Sequence, residues 1–376
     1  MIDLNKIRDE IDETDEGIVQ LFEKRMELTE KVAKYKLETG KAVFDKEREI
    51  SKLKKLKSKS SNEFNAKGIQ EVFRQMMSIS RKRQYQLMKE DGTEKQIDYR
   101  QIDALQFSHS KVVFQGVEGA YSFAAMRTFF DDTIESSHVE TWKESMQQVA
   151  EQKVDYGVLP IENSTAGSVS DIYDLMIQYP NYIVGEQILQ IDHTLMAVPG
   201  ASLEDIRTVY SHPQGLAQCR NYLEKYPGWK QKKILNTAMA AKKVAQDGDR
   251  SQAAIASKYA AEHFGLKILA EGCLSGRSNF TRFIIISNQK CFDKNAKKIS
   301  ICIELPHEIG SLYNILAHFI YNNLNMTKID SRPISEKNWE YRFFIDFEGN
   351  LNSSAVKNAL KGISSEASSL RLLGNY

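Results

Sequence analysis

Residues 159–169 read LPIENSTAGSV and follow the β-rich run VDYGV at 154–158. The apolar run ends at Pro160-Ile161, and a carboxylate, an amide and two hydroxyls follow before the helical spacing of SVSDIYDLMI begins. Asn, Ser and Thr are ordinary cap residues, and a helix N-terminus also attracts small anions. The stretch therefore predicts a strand that delivers polar groups to a helix N-terminus. It leaves open whether they form only a capped turn or a site for an anion.

The segments around this stretch differ in texture. Residues 1–90 have helical spacing and no proline, and residues 91–108 lack a clear period and are typical of a linker. Residues 109–288 alternate short β-rich runs with helical stretches, which predicts a wound α/β domain. Residues 297–376 follow the order strand, helix, strand, strand, helix and short strand, which suits an α+β ferredoxin-like domain. The predicted fold class is therefore multidomain, with an all-α three-helix domain first.

The composition excludes several classes of protein. The net charge of the 376 residues is +1, so no overall field favours nucleic acid or an anionic membrane. The N-terminus is too acidic for a signal peptide and no apolar run is long enough to span a bilayer, so we expect a cytoplasmic protein. The four cysteines have no CxxC spacing and are expected to be reduced. The seven scattered histidines predict no metal site.

The first helix carries a charge where an apolar group is expected. Positions 4, 7, 11, 14, 18, 21, 25, 28, 32 and 35 form a helical seam of mostly apolar residues, but position 25 is Arg25. A buried ion pair within the bundle and an anionic ligand would each explain that guanidinium. Arg8 lies seventeen residues earlier, about 25 Å along the axis, so one helix cannot bring both arginines to one small ligand. A second, antiparallel copy can, and it would also cover the seam, which predicts a dimer.

Three spacings in the helical segment resemble the all-helical chorismate mutase family. They are R-x16-R-x10-K from Arg8, D-x-x-R-E from Asp45, and S-x-x-x-Q from Ser80. The resemblance implies rearrangement of chorismate to prephenate without a cofactor. Its implied site consists of Arg8 (from the partner chain), Arg25, Lys36, Asp45, Arg48, Glu49, Ser80 and Gln84. Arginines would hold the substrate's carboxylates, and Lys36 and Gln84 would donate to the ether oxygen as it gains negative charge.

Four pieces of the middle segment together resemble prephenate dehydratase: QGVEGAYS (115–122), DYGVLPIENSTAGSV (155–169), YSHPQGLAQC (210–219) and NFTRF (279–283). The resemblance implies a two-lobed α/β fold like that of periplasmic binding proteins. It also implies loss of carbon dioxide and hydroxide from prephenate to give phenylpyruvate. It places Thr281 at the centre, as a proton donor, a proton relay or a positioning group. The residues around it would be Glu162, Asn163, Ser164, Ser211 and Gln218. Arg282 is either a carboxylate partner or a structural salt bridge, and without a GxSxG elbow His212 does not indicate a nucleophile.

The last segment resembles ACT regulatory domains of the phenylalanine-responsive type. The residues that carry this resemblance are Gly310, Ser311 and Leu312 at a helix start, and Asp330, Ser331, Arg332 and Pro333 at a strand end. The family usually has alanine and glutamate where this chain has Ser311 and Asp330, so the identity and affinity of the effector stay open. A capped helix without a ligand is the alternative.

Together the resemblances predict a bifunctional enzyme that acts on chorismate and prephenate and is inhibited by phenylalanine. It would be a homodimer or tetramer with mutase sites shared between chains. Two alternatives stay open: an enzyme in which only one of the two sites is active, and a non-catalytic amino-acid-sensing protein.

Overall fold

The computed structural model describes residues 3–87, 98–274, 279–334, 337 and 339–376. The chain divides into two compact units that are not continuous in sequence. Unit 1 comprises Met1–Ile97 and Cys302–Arg371, and unit 2 comprises Asp98–Ile301 and Leu372–Tyr376. Within the described part of the chain, no helix is both long and apolar enough to cross a membrane.

Unit 1 begins with three helices, α1 (Leu4–Thr39), α2 (Lys46–Lys57) and α3 (Glu63–Leu87). The Asp3 carboxylate accepts hydrogen bonds from the first backbone amides of α1, and the helix ends at Gly40. Asp45 caps α2 through the Arg48 amide at 3.0 Å, as the sequence predicts. Both α1 and α2 pack against α3. Along the predicted seam of α1 the apolar side chains are exposed in the single chain, by 70% at Leu21 and 52% at Leu28.

Unit 2 is an α/β structure with two main sheets. Its strands are β1 (Arg100–Ile102), β2 (Lys111–Gln115), β3 (Glu135–Val139), β4 (Tyr156–Asn163), β5 (Gly167–Ser168), β6 (Tyr182–Ile191), β7 (Thr194–Ala197), β8 (Thr208–Ser211), β9 (Lys230–Lys233), β10 (Gln252–Ala256), β11 (Lys267–Ala270), β12 (Asn279–Ser287) and β13 (Cys291–Asp293). Its helices are α4 (Tyr121–Phe129), α5 (Trp142–Ala150), α6 (Ser170–Gln178), α7 (Pro213–Gln218), α8 (Arg220–Leu223), α9 (Thr237–Asp247) and α10 (Lys258–His263).

The two sheets form the predicted pair of lobes. One has the strand order β6-β12-β4-β2-β3, and the other has the order β11-β7-β10-β8-β9. Each sheet has its own apolar core, one built around Phe114 and Met126 and the other around Leu195 and Ile255. Strand β12 lies between β4 and β6 and pairs antiparallel with both. Residues at the start of β12 therefore lie beside the end of β4.

The structure differs from the predicted linker at residues 98–108. Strand β1 pairs in parallel with β13, and Ile102, Leu105 and Phe107 pack against the core of unit 2. The alternation of apolar and polar residues in this stretch is too short to predict a strand. The partner strand of β1, β13, is almost 200 residues away in sequence. The first part of the predicted linker, residues 91–97, lies outside the described residues.

The C-terminal segment has the predicted order of elements: β14 (Lys298–Glu304), α11 (Ser311–Tyr321), β15 (Met326–Pro333), β16 (Tyr341–Glu348), α12 (Ser354–Glu366) and β17 (Ser369–Asn375). The strands follow one another across the sheet as β15-β16-β14-β17. Buried Phe319 of α11 meets Phe347 of β16 edge to face. Within unit 1, α11 and α12 pack against each other and both contact α3.

Candidate active sites

Arg25 on α1 binds neutral oxygens of α3. One Nη1 atom donates to the Met76 carbonyl at 2.9 Å and also to the Ser80 hydroxyl. Burial lowers the pKa of this guanidinium, an effect that nearby Glu49 partly opposes. Among the described residues, Arg25 has no carboxylate within salt-bridge distance, so the structure does not support the alternative of a buried ion pair within the bundle.

Ser80 and Gln84 lie together on the buried face of α3, each about 6% exposed. The Gln84 amide nitrogen donates to the Ser80 carbonyl at 3.3 Å. Its Oε1 atom is buried and has no hydrogen-bond partner within the described ranges. A buried polar atom without a partner is costly, and a bound ligand is one way to satisfy it.

Lys36 and Glu49 place further charges near Arg25. The Lys36 ammonium donates to the Val43 carbonyl at 2.6 Å. Burial lowers its pKa, and the neighbouring Asp45 carboxylate opposes that shift. Glu49 acts electrostatically on both Arg25 and Lys36. The three helices therefore bring predicted cations, a carboxylate and an amide into one region, whereas Arg8 is exposed near the start of α1.

The polar stretch that follows β4 forms a hairpin turn and does not cap α6. Asn163 pairs with Gly167, and Glu162 pairs with Ser168 of β5. The helix begins after Val169, with no side-chain cap. The prediction that this stretch opens the helix is therefore wrong, because β5 returns along β4 first. The spacing of the apolar residues could not show a two-residue strand.

Asn163 connects this turn to β12. Its amide nitrogen donates to the Thr281 hydroxyl at 2.9 Å and to the Asn279 side-chain oxygen at 2.7 Å. Its side-chain oxygen, Oδ1, accepts from the Thr165 amide, the Thr165 hydroxyl and the Ala166 amide, at 2.7–3.1 Å. The Ser164 hydroxyl accepts from the Phe280 amide at 2.9 Å. The turn and the start of β12 thus hold each other, and Thr281 is 9% exposed between them.

Arg282 and Glu162 belong to a cluster of charged groups. Arg282 donates through Nε to Glu186 at 2.7 Å and through Nη2 to the Tyr376 hydroxyl at 2.7 Å. The Glu162 carboxylate lies 3.6 Å from Arg282 Nη1. Of the two readings of Arg282, the structure favours the salt bridge, and this cation balances the Glu162 charge.

The second lobe contributes Gln218 and Ser211. Gln218 is 3.0 Å from His193 through Oε1 and donates at 3.4 Å to Thr165, which itself bonds Asn163. Ser211 is fully buried and donates to the Ile255 carbonyl at 2.7 Å. His212 caps α7 by accepting from the Gln214 amide, so it does not activate Ser211 as a nucleophile. Gln218 therefore joins the turn directly, whereas Ser211 is bound to its own sheet.

The glycine-rich loop before α4 also contacts the second lobe. The Gly119 carbonyl accepts from the Ser257 hydroxyl at 2.8 Å. A Cβ on Gly119 would lie 2.9 Å from the Ala260 Cα, and its φ is +86°, so only glycine fits here. This close approach is what the QGVEGAYS stretch supplies, and it fixes the start of α4.

Sequence reasoning missed three residues around the predicted ones: Asn279, which bonds Asn163, and the pair His193 and Tyr121, of which His193 lies against Gln218. Asn279 is 2% exposed, and its Nδ2 has no hydrogen-bond partner in the described part of the chain. His193 is buried, which lowers its pKa, and it lies 3.1 Å from the Tyr121 hydroxyl. The available signals were the asparagine that opens NFTRF and the isolated histidine after β6.

The residues predicted to bind an effector lie at two places in unit 1. Gly310, with φ of 82°, precedes α11, and the Ser311 hydroxyl donates to the Glu308 carbonyl at 2.8 Å. Asp330, Ser331, Arg332 and Pro333 form the end of β15, where the Asp330 carboxylate accepts from the Ser331 amide. Among the described residues, no cluster of His, Cys, Asp and Glu could hold a metal ion.

Two family models match the chain. The model for chorismate mutase type II matches residues 7–85, and the model for prephenate dehydratase matches residues 112–291. The first match contains all eight residues predicted for the helical site, from Arg8 to Gln84, and the second contains the turn, β12 and Gln218.

Curated relatives cover almost the whole chain. It is 32% identical over 379 residues to the bifunctional chorismate mutase/prephenate dehydratase of Escherichia coli K12, across 98% of this chain and 95% of the relative. It is 41% identical over 272 residues to the prephenate dehydratase of Methanocaldococcus jannaschii, across 70% of this chain and 97% of that protein. Among solved structures, the prephenate dehydratase of Arthrobacter aurescens in complex with L-Phe is 28% identical with a TM-score of 0.65, covering 71% of this chain and 89% of that one.

Proposed function

The chain belongs to the family of bifunctional chorismate mutase/prephenate dehydratases, and on that premise we propose which residues perform its two reactions. The first reaction rearranges chorismate to prephenate by breaking an ether C–O bond as a C–C bond forms. The second removes carbon dioxide and the ring hydroxyl from prephenate to give phenylpyruvate. Both belong to phenylalanine biosynthesis.

For the mutase reaction, Arg25 and Arg48 bind substrate carboxylates with Arg8 of the second copy, and hold the reactive conformer. Lys36 and Gln84 donate to the ether oxygen, which becomes more negative in the transition state than in the ground state. Glu49 accepts from a substrate hydroxyl, and Asp45 and Ser80 complete the site. The supporting observation is the half-buried Arg25, which donates to the neutral oxygens of Met76 and Ser80 and has no carboxylate within salt-bridge distance among the described residues.

The mutase site requires a second copy of the chain. Arg8 lies about 25 Å along α1 from Arg25, so the two cannot meet on one small substrate within a chain. The exposed seam of α1, with Leu4, Ile11, Ile18 and Leu21 each more than half exposed, is the surface that an antiparallel copy would cover. We therefore assign a homodimer with shared mutase sites, which a tetramer would also contain.

For the dehydratase reaction, Thr281 donates a hydrogen bond to the leaving hydroxyl of prephenate. Asn163 donates to Thr281 Oγ1, so the hydroxyl hydrogen of Thr281 is not needed for that bond and stays available. This single observation carries the assignment of Thr281 as donor. Ser164 and Gln218 position the substrate, with Glu162 charge-balanced by Arg282. The buried Nδ2 atom of Asn279, which has no hydrogen-bond partner among the described residues, adds a further donor for a carboxylate.

The C-terminal segment is proposed as an ACT regulatory domain that binds phenylalanine. Its order β14-α11-β15-β16-α12-β17 and strand arrangement β15-β16-β14-β17 support a ferredoxin-like domain. The prephenate dehydratase of Arthrobacter aurescens was solved in complex with L-Phe, which supports the choice of effector. Gly310–Leu312 and Asp330–Pro333 would form the binding residues. Four free, buried cysteines fit a reducing cytoplasm.

The test is one assay with purified protein and chorismate, following chorismate loss and phenylpyruvate gain with and without phenylalanine. We expect both signals and a lower phenylpyruvate rate with phenylalanine. Phenylpyruvate formation that phenylalanine leaves unchanged would refute the regulatory proposal alone. Chorismate loss without phenylpyruvate would mean that the Thr281 assignment is wrong, and loss of neither would favour a sensing protein.

A further inference from the structure

Arg81 on α3 connects the mutase residues with the C-terminal segment. It follows Ser80 directly, and its side chain is only 7% exposed. Its Nη1 lies 2.5 and 2.6 Å from the two oxygens of Glu49 on α2. Its Nε donates to the Glu366 carboxylate at the end of α12, at 2.9 Å. One buried guanidinium thus binds the carboxylates of Glu49 and Glu366, which lie 317 residues apart in sequence.

Glu366 is fixed from a second side. Its carboxylate is 7% exposed and lies 3.2 Å from His318 Nε2 of α11. Burial by itself raises the pKa of Glu366, but hydrogen bonds and charge from His318 and Arg81 lower it below its usual value, so the group stays ionised. A Cβ on Gly362 would lie 2.3 Å from the His318 ring, and a side chain there would push the two helices apart. The packing of α11 against α12 therefore sets where the Glu366 carboxylate lies.

The surrounding contacts hold Arg81 in one position. The Phe44 ring centroid lies 4.9 Å from the Arg81 guanidinium carbon. One turn further along α3, the Tyr85 hydroxyl is hydrogen-bonded to Ser365 of α12. Lys82 lies 4.1 Å from the Tyr321 ring centroid of α11. The same face of α3 that carries Ser80 and Gln84 is thus continuous with a face that packs on the C-terminal helices.

We propose that Arg81 is a positioning residue of the mutase site, and that Glu366 of the C-terminal segment fixes Arg81 so that Glu49 is oriented for chorismate. This proposal rests on the proposed role of Glu49 as a substrate-binding residue. The Glu49 oxygens each keep a further lone pair for a substrate hydroxyl while they accept from Arg81. The guanidinium also balances the charge of Glu49, which would otherwise repel a substrate with two carboxylates. The C-terminal helices are therefore part of what forms the mutase site.

The test measures mutase kinetics in variants of the full-length chain. Arg81→Met is expected to raise KM for chorismate roughly tenfold with a smaller change in kcat, because Glu49 binds ground and transition states alike. Glu366→Gln should raise KM in the same direction by less. Arg83→Met is the matched control, because Arg83 is half exposed and pairs with Glu30 on the surface. Dehydratase rates with prephenate should stay at the wild-type level in all of them.

Removing one partner of a buried ion pair leaves the other charge buried and can destabilise the protein. The double variant Arg81→Met/Glu366→Gln therefore removes both charges together. Non-additivity is the expected result: the double variant should have the KM of Arg81→Met alone. Arg81→Lys should bind chorismate more tightly than Arg81→Met, because it keeps the positive charge. It should bind less tightly than wild type, because it lacks the planar, forked donors of the guanidinium. Wild-type KM in both Glu366→Gln and the double variant would overturn the proposal. Glu49→Gln distinguishes failure of this proposal from failure of the proposed role of Glu49. If Glu49→Gln also leaves KM unchanged, Glu49 does not bind chorismate, and the proposed function has failed rather than the positioning by Arg81.

Discussion

Asn163 shows how one side chain can serve both a turn and a site. Its oxygen accepts from the amides of Thr165 and Ala166, which the turn needs for its own stability. Its nitrogen is thereby directed at β12, where it donates to Thr281. The two readings of the opening stretch, turn or site, are therefore not exclusive, because the turn fixes which way the amide points.

Removing the Thr281 hydroxyl should stop the second reaction and leave the first. In Thr281→Ala we expect phenylpyruvate formation to fall by about 10²-fold or more, because a positioned proton donor contributes on that order. Thr281→Ser keeps the hydroxyl and should retain most of the rate. Chorismate consumption should be unchanged in both variants, which is the internal check on folding. Normal phenylpyruvate output from Thr281→Ala would refute the role given to Thr281.

Lys82 predicts a specific pH dependence of stability. Burial lowers its pKa to about 8 from 10.5, although Glu366 opposes the shift. Between those two values the unfolded chain binds more protons than the folded chain, so the free energy of unfolding rises with pH. Relative to Lys82→Met, the wild-type protein should therefore gain stability as pH rises from about 8 to 10, measured by chemical denaturation. Lys67→Met, at an exposed lysine of the same helix, should follow the wild-type curve. Parallel curves for wild type and Lys82→Met would contradict this.

At the scale of elements, the sequence predicts what local periodicity controls. Helix α1 and the cap at Asp45 need only residues a few positions apart, and the structure contains both. By contrast, β1 depends on a pairing with β13, and β5 depends on the return of the chain along β4. The contacts of Arg81 with Glu366 and of Gln218 with Thr165 also join distant segments. Because such features depend on tertiary packing between distant segments, no local sequence pattern predicts them.

The exposed seam of α1 gives an element-scale prediction. Leu21→Lys places a charge on the surface that we assign to the second copy, where it would be desolvated. We expect mutase activity to fall at least about tenfold, since each loss of 1.4 kcal/mol in association is tenfold. Dehydratase activity should persist, because its residues lie in unit 2. Glu23→Lys, on the opposite face of α1, is the matched control and should leave mutase activity unchanged. Full mutase activity in Leu21→Lys would argue against the seam as an interface.

At the scale of the whole molecule, chain order and spatial organisation differ. The three predicted domains follow one another in sequence, yet unit 1 combines the first 97 residues with residues 302–371. The mutase helices and the C-terminal helices therefore form one compact body, with Arg81 bound on both sides. The C-terminal segment that we propose to be regulatory therefore packs directly on the helices that carry the mutase residues.

The proposed sharing of mutase sites between two chains makes a quantitative prediction about mixed dimers. Arg8→Ala and Arg25→Ala should each abolish mutase turnover alone, because every site in either homodimer lacks one arginine. When the two variants are co-expressed, half of the dimers are mixed, and one of the two sites in each mixed dimer regains both arginines. About one quarter of wild-type mutase activity should therefore return.

The control for this experiment pairs Arg25→Ala with Lys36→Ala, measured in the same mutase assay. Both of these residues come to the site from one chain, so no mixed dimer contains an intact site and no activity should return. If Arg8→Ala and Arg25→Ala also fail to restore each other, Arg8 does not act across the dimer. Recovery in both mixtures would mean instead that Lys36 and Arg25 reach the site from different chains, because only then does mixing rebuild it.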